Sequence, residues 1–172
     1  MVESKKKLED YFDIDKVKSV FEKHSKKMQG IWLSLFDTEA TIYIDMDVQD
    51  ICNVFHRVNK QTADLCNVCN KELLRKYYNL EYAEYKCGND LLNITMPVKL
   101  DDEHIATFST GQFFIKGEHE PEVAKFKARA KKFGFNETEY LKLYQKMPTY
   151  TREQINEFLT DIKREILTLL KK

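Results

Sequence analysis

The chain has 172 residues, enough for one domain with a substantial core, and its 42% hydrophobic and 33% charged residues are those of a folded protein rather than a disordered one. Its 28 Lys and Arg balance 28 Asp and Glu, so the formal net charge is zero. A surface that holds nucleic acid by itself carries a basic excess, and direct DNA or RNA binding is therefore not expected.

The opening Met-Val-Glu-Ser-Lys-Lys-Lys has no apolar core of a signal peptide, and no later stretch is long and apolar enough to span a membrane. The chain is expected in the cytoplasm, with its thiols reduced. Ile14, Val17, Phe21, His24 and Met28 recur at steps of three and four, which predicts an amphipathic helix over 14–28 that ends at Gly30. Residues 31–36 and 40–44 read as two strands joined by a tight turn at Asp37-Thr38-Glu39, with Tyr43 facing opposite to Ile42 and Ile44. Asp50 caps a short helix carrying Cys52, Phe55 and His56, and a longer helix over 60–78 carries Cys66 and Cys69. Strands follow over 83–87, 91–100 and 104–114, the last two forming a hairpin through Asp101-Asp102-Glu103.

The rest is helical: Pro121 opens a helix that Gly134 ends, Asn136 with Glu139 caps the next, and Thr151 with Gln154 caps the last. No repeat, low-complexity segment or linker interrupts the chain, so residues 1–172 are expected to form a single domain, with a flexible start over 1–7 and a signalling or packing helix over 151–172. The fold class expected is α+β, a mixed and mostly antiparallel sheet of about five strands with inserted helices and flanking N- and C-terminal helices, in the order found in PAS- and GAF-like sensors.

All four cysteines fall in one window, Cys52, Cys66, Cys69 and Cys87. Cys66 and Cys69 share a helix face, and four thiolates suit zinc or an iron–sulfur cluster. Zinc sites usually bring two close pairs, however, whereas Cys52 and Cys87 stand singly, and His56 is spaced to replace a weak ligand. Covalent c-type haem is not expected because Asn70, not His, follows Cys69; non-covalent haem through one Cys or His stays open. The plainer reading is four small thiols packed as apolar residues, and disulfides are disfavoured by the compartment. A catalytic thiol would need His24, His56, His104 or His119 as base, and only His56 is spaced to meet a cysteine. No paired-carboxylate motif, phosphate loop, nucleophile elbow or zinc-protease motif occurs, so enzymatic activity is not expected.

Ile51-Cys52-Asn53, Cys66-Asn67-Val68-Cys69-Asn70, Tyr85-Lys86-Cys87-Gly88, Met96-Pro97-Val98 and Gly111-Gln112-Phe113 occur in the order of the PocR-type sensory domain, which the chain resembles over about residues 8–170. The opening helix, the two strands before Cys52 and Met147-Pro148 fit the same pattern. The resemblance implies a PAS-like ligand-binding domain of bacterial and archaeal signalling proteins, attached to transcription regulators, histidine kinases and similar outputs, with small organic molecules such as diols as the proposed signals. It places Cys52, Cys66 and Cys87 at family positions and Cys69 where many members carry a small polar residue. Cys87-Gly88-Asn89-Asp90 departs from the Cys-His-x-Gly frequent in the family.

Domains of this shape bind ligands on the concave face of the sheet, and alternation nominates Trp32, Phe36, Tyr43, Phe55, Asn93, Thr95, Phe108, Thr110 and Gln112 as lining. Asn93 and Gln112 are the strongest of these as contacts, because buried amides need partners. Ile155, Leu159, Ile162, Ile166 and Leu169 form a heptad seam that suits either a homodimer through 151–172 or packing on the chain's own domain. The function expected is a sensor of a small organic molecule that signals to an output domain or partner. A redox or metal sensor at the cysteines and a thiol enzyme are the alternatives.

Overall fold

Alternating apolar and polar residues build five strands, and the helices that cover them read in sequence as stripes at steps of three and four. The structure, a computed structural model, describes residues 6–77 and 79–171. Most of the expected flexible start, residues 1–5, and the expected helix end at Tyr78 lie outside the described residues. A short α1 (Leu8–Tyr11) leads into α2 (Ile14–Lys27), whose first turn is capped by the Asp13 carboxylate accepting the Lys16 N–H at 3.3 Å. The strands are β1 (Trp32–Asp37), β2 (Ile42–Met46), β3 (Ala83–Lys86), β4 (Leu92–Leu100) and β5 (Glu103–Gly111). Their order is β2-β1-β5-β4-β3, every pair antiparallel, with one π-helical turn (Cys52–His56) and α3 (Lys60–Lys76) inserted between β2 and β3. This is the α+β, PAS-like arrangement expected.

After β5, a left-handed Gln112 (φ 59°) turns the chain, so the strand stops at Gly111 rather than at residue 114. Two residues, β6 (Phe114–Ile115), then pair in parallel with β7 (Thr149–Tyr150), which precedes the last helix. Between them α4 (Val123–Phe133) and α5 (Glu137–Gln145) form a hairpin. Gly134 (φ 70°) ends α4, and Asn136 caps α5 by accepting the Glu139 N–H at 3.0 Å. The last helix, α6 (Arg152–Thr168), opens with the Thr151–Gln154 capping box.

One sheet face carries Leu33, Leu35, Ile94, Met96 and Phe108 and packs against α2 and α6 in the larger core cluster. The heptad seam is consumed there: Ile155, Leu159, Ile162 and Ile166 are all buried in that cluster, and Leu169 packs at its edge. Lys23 and His24 Nε2 both meet Glu165 across the α2–α6 contact, at 2.8 and 3.1 Å. A homodimer through this seam would have to expose it first. Phe108 is fully buried with its ring 5.6 Å from Phe21 and 6.4 Å from Phe158, bridging both helices. Phe108→Ala is expected to cost about 3–5 kcal/mol in a urea melt, as other buried aromatic truncations do; a loss below about 1 kcal/mol would show that this ring does not anchor the helices.

The opposite face is set by two β-bulges. The β4–β5 turn has Asp101 and Asp102 both at positive φ, the geometry of a two-residue hairpin, which pairs Lys99 with His104. Continued without slip, that register would set Asn93 opposite Thr110 and Thr95 opposite Phe108. Instead Val98 pairs with Ala106, leaving Ile105 as an extra residue, so that Asn93 faces Gly111 and Thr95 faces Ser109. Phe108 and Thr110 thereby turn to the α2–α6 side. In the first hairpin Leu35 pairs with Ile44 but Phe36 with Ile42, which makes Tyr43 the extra residue.

Candidate functional site

The inner sheet face, the π-helical turn and α3 enclose a cavity of about 360 Å³. Trp32, Ser34 and Phe36 of β1, Ile42 and Asp45 of β2, and Asn93 of β4 form its sheet wall. Cys52, His56 and Arg57 come from the π-helical turn and the residue after it, Cys66 and Cys69 from α3, and Cys87 and Asn89 from the turn between β3 and β4. Gln112 closes one end, its Oε1 accepting the Gln49 N–H at 2.7 Å.

Of the nine residues nominated from alternation, Trp32, Phe36, Asn93 and Gln112 line this cavity and the other five do not. Phe108 and Thr110 are carried to the helix-packed face by the β5 bulge, where Thr110 Oγ1 donates to Trp32 O at 2.7 Å. Tyr43, the bulged residue of β2, sits in a separate groove beside Leu8 and Tyr11, and Ile42 takes its place on the cavity side. Phe55 projects from the π-helical turn into the second core cluster, against Phe135 and Tyr140. Thr95 shares Asn93's face, but its hydroxyl is engaged by Ser109 Oγ at 2.8 Å.

Asp45 and Arg57 were not foreseen. Asp45 accepts from Trp32 Nε1 and from Arg57 Nη1, both at 2.7 Å, so the one cation and the one carboxylate of the lining hold each other at its rim. Asp45 stands one alternation step from Tyr43, and that parity was its signal in the sequence. Asn89 and Arg129 were missed as well. Asn89 Nδ2 donates to Thr62 O at 2.9 Å and to Cys66 Sγ at 3.0 Å, while its Oδ1 accepts from Arg129 Nη2 at 2.7 Å. Arg129 also holds Asp90 at 2.6 Å, tying the cavity floor to α4. Gly88 allows this turn to approach α3: a Cβ there would lie 2.6 Å from Leu65 O.

All four cysteines are free thiols on the cavity wall. Burial pushes each of them up, Cys87 to about 12, although backbone hydrogen bonds from Asn89 and Leu91 oppose the rise. They are therefore protonated near neutral pH. Among the described residues no group of three or more His, Cys, Asp and Glu side chains is placed to hold a metal ion. The expected zinc or cluster set of Cys52, Cys66, Cys69 and Cys87 thus shares one cavity without converging on a point.

His56 stands 3.8 Å from Cys52 Sγ through Nδ1 and 2.8 Å from Tyr140 Oη through Nε2. Burial, with Arg129 nearby, lowers its pKa to about 3. A neutral imidazole beside a protonated thiol is the inactive form of a Cys–His pair. His24, His104 and His119 are bonded to Glu165, Thr107 and Glu84, in other parts of the fold.

Among the described residues no helix is long and apolar enough to cross a membrane. The family model of the sensory domain found in PocR matches residues 10–170. No curated protein matches the chain. A solved structure, "Structure of RsLOV d2 variant", is similar over 90% of this chain and 94% of that one at 12% identity, with a TM-score of 0.33.

Proposed function

The chain belongs to the family of the sensory domain found in PocR, and from that membership we propose that it binds a small organic molecule in the cavity on its inner sheet face and signals in the cytoplasm to an output domain or partner. The observation that carries this reading is the cavity itself, about 360 Å³ with aromatic, thiol and amide lining, within the usual range of about 300–1,000 Å³ for ligand sites. Trp32 on its wall is the only tryptophan, so its emission reports occupancy. A thermal-shift screen of small alcohols, amides and acids, with hits followed by Trp32 emission, tests the reading. Saturable hits are expected; stabilisation without any change at Trp32 would place binding elsewhere.

A redox or metal sensor is the second reading, favoured by four thiols on one wall. A bound metal would require the thiols to be drawn closer than they stand. Anaerobic purification followed by elemental analysis and an absorbance spectrum separates the two readings: stoichiometric zinc or iron would favour the second.

A further inference from the structure

Arg57 reaches the cavity because the turn before it is π-helical. Its backbone N–H bonds back to Cys52 O at 2.8 Å, closing the wide i→i+5 ring of that turn. In an α-helix a residue at this spacing points about 140° away from the first. The wider turn brings Arg57 round, so that Cys52, His56 and Arg57 all line the cavity. Burial raises the Cys52 and Cys66 thiols, and the nearby Arg57 guanidinium opposes that rise at both, joined at Cys66 by the Asn89 amide. The guanidinium therefore lies over the thiol wall rather than out in solvent.

Donors and acceptors at this rim do not balance. Asp45 has both carboxylate oxygens engaged, Oδ1 by Trp32 Nε1 and Oδ2 by Arg57 Nη1, each at 2.7 Å. Arg57 uses only that Nη1–H; its Nε and Nη2 donors have no partner among the described residues. The side chain is 41% exposed, so those donors are within reach of a molecule entering the cavity. A carboxylate is planar and matches the Nε–Nη2 edge with two parallel N–H···O bonds. A phosphate dianion would bring more charge than one half-paired guanidinium can meet, and an ammonium would find the acceptors of the pair already taken. Building on the small-molecule reading above, we infer that the cavity selects a small monocarboxylic acid in its ionised form, that Arg57 anchors its carboxylate through the Nε–Nη2 edge, and that Asp45 is the internal competitor that sets how tightly it is held.

The experiment has two arms, both on the whole chain and both read by Trp32 emission, which Asp45 links to the anchor. In the first, the native chain is titrated near neutral pH with butyrate, 1-butanol and butylammonium, matched in length. Butyrate is expected to saturate at a concentration about tenfold lower than the other two. In the second, Arg57→Gln is expected to weaken butyrate about tenfold while leaving 1-butanol within about twofold. Asp45→Asn, which keeps an acceptor for Trp32, is expected to tighten butyrate about threefold. 1-Butanol or butylammonium binding as tightly as butyrate overturns this inference while leaving the small-molecule reading in place. Butyrate binding that is unchanged in folded Arg57→Gln, or no tighter in folded Asp45→Asn, has the same consequence. So does a silent butyrate titration when other compounds of the thermal-shift screen saturate Trp32 emission; silence towards every compound overturns both. Should either variant fail to fold, the probe series on the unaltered protein decides alone.

Discussion

Between pH 7 and pH 5 the protein is expected to lose about 2 kcal/mol of stability through His56 alone. The folded pKa is lowered to about 3 from an ordinary 6.5. The unfolded chain therefore takes up a proton as pH falls through 6.5 while the folded chain does not, and the unfolded state gains from every further step down to about pH 3. The groups facing the ring explain the depression: burial first, then the Arg129 guanidinium, with Asp90 opposing. The neighbouring Cys52 and Tyr140 are both pushed up by burial and stay neutral over this range. Carboxylates held low by cationic partners, such as Glu84 beside Arg152 and Glu165 beside Lys23, act only below about pH 4.5, so the window from 7 to 5 belongs to histidine. Urea melts of the native chain and of His56→Gln at the two pH values check this. The variant should lose most of the difference, and equal slopes in the two proteins would show that His56 titrates normally.

Arg129→Met is expected to cost about 3 kcal/mol and to lower the Tm by on the order of 10 °C. The guanidinium is only 12% exposed and holds both Asp90 and Asn89 Oδ1. Methionine keeps the bulk over Phe133 but leaves Asp90 with Lys125 as its one remaining cation and strands the buried Asn89 amide oxygen. Its removal also takes a positive charge from beside His56, so the pH below which the effect levels off should rise in the same variant, with the loss between pH 7 and pH 5 nearly unchanged. A melt of Arg129→Met within 1 kcal/mol of the native chain would mean that the floor of the cavity does not depend on α4.

Most elements were legible because their signals are local. Asn136 and Thr151 cap the helices they precede, and Gly134 ends α4 in the left-handed conformation glycine favours. The two-residue β6 and β7 were not legible, since a pair this short has no period to read. The candidate site was half legible for a related reason. Alternation correctly groups residues within a strand, but the pairing between strands is a separate fact. Asn93 and Thr95 do share a face; Phe108 and Thr110 would have joined them had β5 not carried Ile105 as an extra residue. Tyr43 fails in the same way through its own bulge. Arg129 lies 40 residues from Asn89 and Tyr140 lies 84 from His56, and no spacing rule links residues that far apart.

The seam on α6 taught a different lesson. Its steps of four, three, four and three suit a coiled coil and a core-facing helix equally, and the partner that α2 supplies could be recognised only in three dimensions.

The central claim, a sensory domain with its ligand site on the inner sheet face, is tested most directly by blocking that site. Ala63 lines the cavity from α3 and is half-buried, so Ala63→Phe fills the space without touching the α2–α6 core. Compounds that saturate the Trp32 response of the native chain should lose at least about tenfold in affinity for the folded variant. Equal affinity for the two proteins would contradict the account.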